Sequence, residues 1–460
     1  MRAFPISKFM RMNASRNAFP HGVLLPLPIL ALALYFIDMT IPTIKLKPRE
    51  EIRIRRGHPW IYDNEIALVE GNPEAGAEVS ALDSRGKPLG FGFYNPVSKI
   101  RVRLFSRSSV KADKEFFVEA FRTALAWRAR FFDTEKQSFR AVFGEADSVP
   151  GLIVDLFTGT SGGDTSTAVN PSASGEPRED SEPGLPGRWL STQFLSLGVE
   201  RRKTEIIAAL QEVFSPDGIA ERSDAPVRAL EGLAPSSGVI AGSVPQSIMM
   251  DENGAKFSVD IAVGQKTGWF LDQRANRAAA ARFAAGKTVL DVFCNQGGFG
   301  ILCALSGAKS VTAVDSSTGA LAAASLNARL NGVTSAFVTV EANAFDHLRA
   351  LEKSGSKFDL VILDPPAFAK SRSAVEAAYR GYKEINVRAM RLLSHGGILV
   401  TCSCSHWFDE NLFDSMLADA AFDCGRRFRV VEDRAQDLDH PIISGYGESR
   451  YLKCRILEVL

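Results

Sequence analysis

Residues 289–300 read VLDVFCNQGGFG: an apolar strand carrying an acid, then a turn, then a glycine pair that opens a helix. Outward from this stretch the rhythm repeats. TVLDVF is a strand and GGFGILCALSG a helix; SVTAVD is a strand and TGALAAASLNARLNG a helix. AFVTVEAN, FDLVILDPP and GGILVTCSCS add three more strands. Apolar strands alternating with helices predict a mostly parallel sheet covered on both faces, an α/β domain of Rossmann-like build. Such a sheet receives its ligand outside the carboxyl ends of its strands.

Four of those ends carry polar chemistry. Asp291 lies in the first strand, and Gly297 and Gly298 let the backbone of the following turn approach a ligand closely. This is not the G-x-G-x-x-G of dinucleotide enzymes, and a plain tight turn is the bland alternative. Asp315 ends the second strand, placed to accept the ribose hydroxyls of a nucleoside cofactor. Asn343, after the next strand, is expected near the adenine. Asp364 runs straight into Pro365 and Pro366, which make a rigid, extended turn. Dehydrogenases have no use for it, whereas nucleic-acid methyltransferases must hold a flipped base edge-on with fixed polar groups.

The fourth end, LVTCSCSHWF, brings Cys402 and Cys404. Carbon 5 of cytosine is a poor nucleophile; a thiolate adding at carbon 6 turns the ring into an enamine that can take a methyl group. An acid at N3 assists the addition, and a base later removes the C5 proton. Asp364 and one of the two cysteines would supply acid and nucleophile. The competing reading is two small buried residues, since free cysteine is among the most buried types.

The rest of the chain is organised differently. Residues 1–40 combine Arg2, Lys8, Arg11 and Arg16 with an apolar run from Val23 to Ile37 broken by Pro26 and Pro28. The run is too short to span a bilayer, which takes about 20 residues, and no A-x-A-like cleavage site follows. Met39 reads as a natural start, so this stretch is expected to be unstructured or a mis-called extension. In 41–110 the runs IRIRR, AEVSALD, PLGFGFYN and IRVRLFS read as strands of a small all-β module. Residues 111–250 mix a helix (Lys111–Phe132), a strand ending near Phe157, a strand in WLSTQFLSLGVE and a helix in RRKTEIIAALQEVF. Inside this part, 158–188 is Gly, Ser, Thr, Pro and acid, the composition of a disordered insertion. The α/β domain then occupies 251–460.

Composition sets few limits. The 460 residues are 45% hydrophobic and 23% charged, with a formal net charge of +1, so no global basic field points to nucleic acid. A local basic face is still available in Lys45, Lys47, Arg49, Arg53, Arg55, Arg56, Lys99, Arg101, Arg103 and Arg107. The six cysteines include no C-x-x-C pair, so no metal site is expected and free thiols in a reducing cytoplasm are the default.

The chain resembles the bacterial 23S ribosomal RNA cytosine-C5 methyltransferases of the large-subunit methyltransferase I family from about Ile44 to the C-terminus. The likeness rests on RRGHPWIYDNEI, GEADSVPGL, GQKTGWFLDQRANR, DPPAFAKSR, RGYKEIN and the T-x-S-C-S core at Thr401–Ser405, all in the family's order. It departs from the pattern at Asn343, His406 and Trp407, and 1–40 and the insertion have no counterpart. The resemblance implies a PUA-like RNA-binding β-barrel, a central α+β domain and a class I methyltransferase domain. It implies S-adenosylmethionine contacts at Lys266, Arg274, Asp291, Phe293, Gly297, Gly298, Asp315, Asn343, Asp364 and Pro365, with Lys266, Arg274 and the residues between them helping to close the site. By the S-C-S match Cys404 is the nucleophile, with Cys402 second. The expected partner is large-subunit rRNA, in the cytoplasm, with no membrane or metal and with a homodimer left open. Two alternatives stand beside it: a guanine or exocyclic-amine methyltransferase on the same fold, and a non-catalytic RNA-binding ribosome-assembly factor. A nicotinamide oxidoreductase ranks last.

Overall fold

The computed structural model describes residues 41–108, 111–162, 184–262 and 267–460. The N-terminal extension 1–40, the middle of the expected insertion and Lys266 lie outside the described residues. Three sheets follow one another along the chain.

The first joins β1 (Thr43–Leu46), β2 (Trp60–Tyr62), β3 (Ile66–Glu70), β4 (Glu78–Leu82), β5 (Pro88–Tyr94) and β6 (Ile100–Ser106) in the order β2-β6-β5-β4-β1-β3. Alternate residues point inward, so Ile44, Leu46, Val79, Ala81, Val102 and Leu104 share one core. IRIRR departs from the expected strand: Glu51–Arg55 is a one-turn helix, α1. Only Ile54 enters the core, and Ile52 faces out. Arg53 reaches Glu65 at 2.6 Å and Arg55 reaches Asp83 at 2.6 Å. The local alternation fits a strand, but these partners lie 12 and 28 residues further on and are invisible to it.

The second sheet holds β7 (Phe139–Phe143), β8 (Leu152–Ser161), β9 (Pro186–Phe194), β10 (Gly218–Ser223), β11 (Ser236–Gly242), β12 (Ile248–Glu252) and β13 (Ala255–Val259). Its order is β11-β10-β9-β8-β12-β13, with β7 also on β8. Helices α2 (Lys114–Arg128), α3 (Leu197–Glu200) and α4 (Lys203–Phe214) accompany it. Asp113 caps α2 by accepting from Phe116 N, and Phe117 and Phe121 turn into the core with Ile206 and Leu210 of α4. The tail of WLSTQFLSLGVE is helix α3, not strand. The expected insertion is also narrower than 158–188. Thr158 pairs with Arg188, Gly159 with Gly187 and Thr160 with Pro186, so both ends belong to the β8–β9 hairpin. Backbone pairing, which needs no apolar side chain, extends the strands past the composition break.

The third sheet contains β14 (Thr288–Val292), β15 (Ser310–Asp315), β16 (Phe337–Glu341), β17 (Phe358–Leu363), β18 (Leu393–Ser403), β19 (Phe428–Arg434) and β20 (Lys453–Val459), ordered β16-β15-β14-β17-β18-β20-β19. The first five are parallel; β20 pairs antiparallel with β18 and β19. Helices α5 (Arg274–Ala281), α6 (Gly298–Leu305), α7 (Thr318–Leu330), α8 (Ala344–Ser354), α9 (Val375–Leu392) and α10 (Glu410–Cys424) complete this part. Buried residues form a core on each face, Val289, Val311 and Ile362 on one and Leu290, Val361 and Leu399 on the other. The expected α/β architecture is what the fold shows. The chain leaves β14 toward β15 and β16, then returns to β17 on its other side. That reversal opens a crevice at the carboxyl ends. Among the described residues no helix is long and apolar enough to cross a membrane.

Candidate active site

Register brings the four strand ends to one edge. Val292 pairs with Val314 on one side and Leu363 on the other, and Leu363 pairs with Thr401. Phe293, Asp315, Asp364 and Cys404 therefore leave the sheet within three residues of a common row.

Asp291 is fully buried. Its Oδ2 accepts from Gly300 N at 2.9 Å, while Oδ1 has no hydrogen-bond partner among the described residues. Burial, reinforced by the charges of Asp364 and Asp315, pushes its carboxyl up to about 7. The turn that follows is left-handed at Phe293 (φ 64°), Asn295 (φ 48°) and Gly297 (φ 83°). Two side-chain-bearing residues in that region are costly, and such strain gathers at ligand sites. A Cβ on Gly298 would stand 2.8 Å from Arg277 Cδ, so Gly298 admits close packing of α6 on α5.

Asp315 accepts from Asn295 N (2.9 Å) and Ser317 N (3.0 Å), which orients its half-buried carboxylate toward the same turn. The side-chain oxygen of Asn343 instead caps α8, accepting from Phe345 N and Asp346 N.

Asp364 is held by Gln273, which the sequence placed only among the residues between Lys266 and Arg274. Gln273 Nε2 donates to Asp364 Oδ1 at 2.8 Å, and Gln273 Oε1 accepts from Asn276 Nδ2 at 2.7 Å, which fixes the amide's direction. Gln273 is buried. Its segment is anchored next door, where Glu252 receives Trp269 Nε1 (2.8 Å) and both Nε (2.6 Å) and a terminal nitrogen (2.8 Å) of Arg277. Pro365 is buried and Pro366 exposed; beyond them Phe368 packs on Tyr382 at 4.5 Å between ring centres.

The two candidate cysteines have opposite surroundings. Cys402 is completely buried and register-paired with Cys454 on β20. The Cys454 thiol and burial together hold the Cys402 thiol well above its ordinary range. Cys404 lies past the strand end and is partly exposed. The loop carrying it is tied down on both sides. Ser403 Oγ donates to the Tyr382 hydroxyl (3.0 Å), which lies 2.8 Å from Ser405 Oγ, and Lys453 Nζ donates to Ser405 O (2.8 Å). Tyr382 lay in plain view within RGYKEIN; Lys453 carried no sequence signal.

Arg274 and the basic residues of the β module take the following places. Arg274 has its Nε on Asp437 (2.9 Å), one terminal nitrogen on Ser138 O (2.7 Å) and the other on Asp439 (2.8 Å). Its guanidinium also lies over Phe132. Arg274 thus joins parts of the fold that lie far apart in sequence. The basic face is also thinner than the sequence suggests. Arg53, Arg55 and Arg103 are ion-paired internally, and Arg107 donates to Leu89 O and Ile54 O. Lys45, Lys47, Arg49, Arg56 and Lys99 form no ion pair among the described residues; of these Lys45 is half-buried and the others are exposed. Within RRGHPWIY, His58 reaches Glu448 (3.2 Å), Trp60 Nε1 reaches Glu145 (2.7 Å), and Trp60 meets Tyr446 edge-on. That motif fastens the β module to the later parts of the chain.

Comparison with known proteins places this arrangement. The family model of a PUA-like domain matches residues 44–107, and that of an S-adenosylmethionine-dependent methyltransferase matches 235–427. The ribosomal RNA large subunit methyltransferase I of Tolumonas auensis is 39% identical, over 91% of this chain and 99% of that protein. The proteins of the same name from Shewanella denitrificans (38%, over 90% and 99%) and Klebsiella pneumoniae (36%, over 91% and 100%) are similar to it as well. A methyltransferase crystallised in complex with SAH shares the fold, with a TM-score of 0.74 at 20% identity over 91% of this chain and all of that one. An S-adenosylmethionine-dependent methyltransferase from Streptococcus mutans gives 0.73 at 20% identity, with the same coverage.

Proposed function

The chain belongs to the ribosomal RNA large subunit methyltransferase I family, and from that premise we propose that it methylates carbon 5 of a cytosine in large-subunit rRNA through Cys404. The enzyme class and the cofactor, S-adenosylmethionine, come with the family; the base, the atom and the nucleophile are our reading.

The residues present suit the cofactor. S-adenosylmethionine carries positive charge at its sulfonium and its amine, and the crevice offers Asp291, with an oxygen that has no partner among the described residues, and Asp315. Those two acids, the Phe293–Gly297 turn and Gly298 would hold it. When bound, it supplies an electrophilic methyl group. Pro365 and Asp364 would form the neighbouring wall, and Lys266 is kept from the sequence reading as a contact.

The observation that carries the reading is the position of Cys404. It is the accessible thiol at the strand end adjacent to Asp364, while Cys402 is sealed in the sheet. Asp364, held by Gln273, would meet N3 of the base and assist attack of Cys404 Sγ on carbon 6. The C6–S bond forms and carbon 5 gains the electron density to take the methyl group. Removal of the C5 proton by a base then expels the thiolate and restores the aromatic ring. Fixing both groups beforehand matters because a misplacement of about 1 Å can cost about 100-fold in rate. The PUA-like module would hold RNA by phosphate contacts and shape, using Lys47, Arg49, Arg56 and Lys99.

Nucleoside mass spectrometry of large-subunit rRNA incubated with S-adenosylmethionine and the protein tests this. New 5-methylcytidine with wild type and none with Cys404→Ala is expected. Methylation of guanine or of an exocyclic amine, surviving in Cys404→Ala, would replace the reading.

A further inference from the structure

Strand β20 carries two buried cations into the sheet, Lys453 and Arg455. Arg455 is matched by carboxylates, Asp414 at 2.9 Å and Asp433 at 2.5 Å. Lys453 is only 2% exposed, and no carboxylate of the described residues lies within ion-pairing distance of it. Its Nζ donates to two backbone carbonyls, Ser405 O at 2.8 Å and Tyr451 O at 2.9 Å. A buried ammonium held only by neutral oxygens is expensive, and chains rarely keep one without a compensating anion.

Lys453 is the register partner of Ser403, and its Nζ binds the carbonyl of Ser405. Lys453 is thus tied to the residues on either side of Cys404, by backbone register to Ser403 and by its ammonium to Ser405. Burial pushes its amine down to about 8, and the strongest influence opposing that is Cys404, ahead of Glu410 and Asp409.

We propose that Lys453 is the cation that holds Cys404 as a thiolate, a positioning residue that acts through the thiol. The purpose of this pairing rests on the reading of Cys404 as nucleophile; its existence does not. An adjacent lysine lowers a thiol's pKa because the charged form gains a Coulombic partner. The other groups facing the pair are Tyr382 from α9, Asp409 and Glu410 from the start of α10, and Arg455 on β20. The two acids oppose a thiolate, so Lys453 must outweigh them. Tyr382, buried in the same network, stays a neutral phenol because burial raises it. Through Ser405 O the lysine also fixes the loop, so one side chain sets both the charge and the position of the sulfur.

The test is the pH dependence of iodoacetamide alkylation of Cys404 in the full chain without RNA, read by peptide mass spectrometry. In wild type the rate should reach half its maximum at least one unit below the ordinary thiol value of about 8.5. In Lys453→Met, which keeps the length and loses the charge, the midpoint should rise by a unit or more, a slowing of about tenfold at pH 7. Lys453→Arg should restore most of it, and the Cys424 profile should not move. A wild-type midpoint at or above 8.5, or identical profiles in wild type and Lys453→Met, overturns the proposal. Should Lys453→Met not fold, the wild-type midpoint and Lys453→Arg decide alone. A shifted alkylation profile with no effect of Cys404→Ala on methylation would leave the pairing standing and remove only the nucleophile reading.

Discussion

The hydroxyl of Tyr382 lies 2.8 Å from Ser405 Oγ, and the same oxygen accepts from Ser403 at 3.0 Å. One buried phenol on α9 thereby bridges the residues on either side of Cys404. Ser405 Oγ in turn accepts from Ala369 N (3.1 Å), so the network reaches the DPPAFA turn. The turn that carries Asp364 and the loop that carries Cys404 share a fixed frame.

Tyr382→Phe should therefore fold but lose activity out of proportion to its size. Removing the hydroxyl leaves buried serine oxygens short of a partner, which costs about 1–3 kcal/mol. Urea denaturation should show a loss in that range, and kcat should fall about tenfold or more with little change in KM for S-adenosylmethionine. An unchanged kcat would show that the frame does not matter to turnover.

Gln273→Leu removes the amide that aims Asp364. Steady-state kinetics should show kcat down by about 100-fold, the scale of a catalytic group displaced by about 1 Å. Gln273→Glu should be as poor, because a second buried carboxylate beside Asp364 raises both. Wild-type rates in either variant would detach Asp364's orientation from catalysis.

Asp291 should make cofactor binding pH-dependent. Burial raises its carboxyl to about 7, against about 4 in an unfolded chain. The free protein keeps a proton that the unfolded chain gives up, so this contribution to stability is full below about pH 4 and lost as pH rises through 7. A cationic cofactor favours the ionised form, so binding should release a proton. Calorimetry should find affinity rising several-fold from pH 6 to 8 in wild type and flat in Asp291→Asn. Equal affinity at both pH values in wild type would count against Asp291 as a contact.

Much of the fold can be read from local pattern. The strands of the third sheet are apolar runs, continuous in LVIL before Asp364's turn and nearly so in its neighbours TVLDV and SVTAV, because both faces are covered. That Asp291, Asp315, Asp364 and Cys404 converge at one edge is legible because topology brings the carboxyl ends of the strands together. What is not legible depends on partners distant in sequence. Gln273 and Asp364 are 91 residues apart, Ser405 and Lys453 48. Arg274 sits beside the site in sequence, yet its carboxylates come from 163 and 165 residues later. EIRIR alternates like a strand, but it forms a helical turn from which Arg53 and Arg55 reach Glu65 and Asp83.

Arg274→Met should be a stability variant. It strands Asp437 and Asp439, both buried, and breaking one partner of a buried pair costs about 3–5 kcal/mol. Burial alone would raise Asp439, but His440 and Arg274 hold its carboxyl well below the usual range. Its contribution is present above about pH 4 and lost as pH falls below that. Thermal melting should show a lower Tm at pH 7 and a shallower acid limb than in wild type. Normal stability with lost cofactor binding would return Arg274 to the cofactor site.

The central claim is the covalent role of Cys404, and trapping tests it most directly. A large-subunit rRNA fragment bearing 5-fluorocytidine cannot lose its C5 substituent as a proton, so the enzyme should stay attached. Wild type and Cys402→Ser are expected to form a denaturation-resistant complex whose cross-linked peptide contains Cys404, and Cys404→Ala none. Methylation of unmodified rRNA by Cys404→Ala, or a trapped peptide containing Cys402, would contradict it.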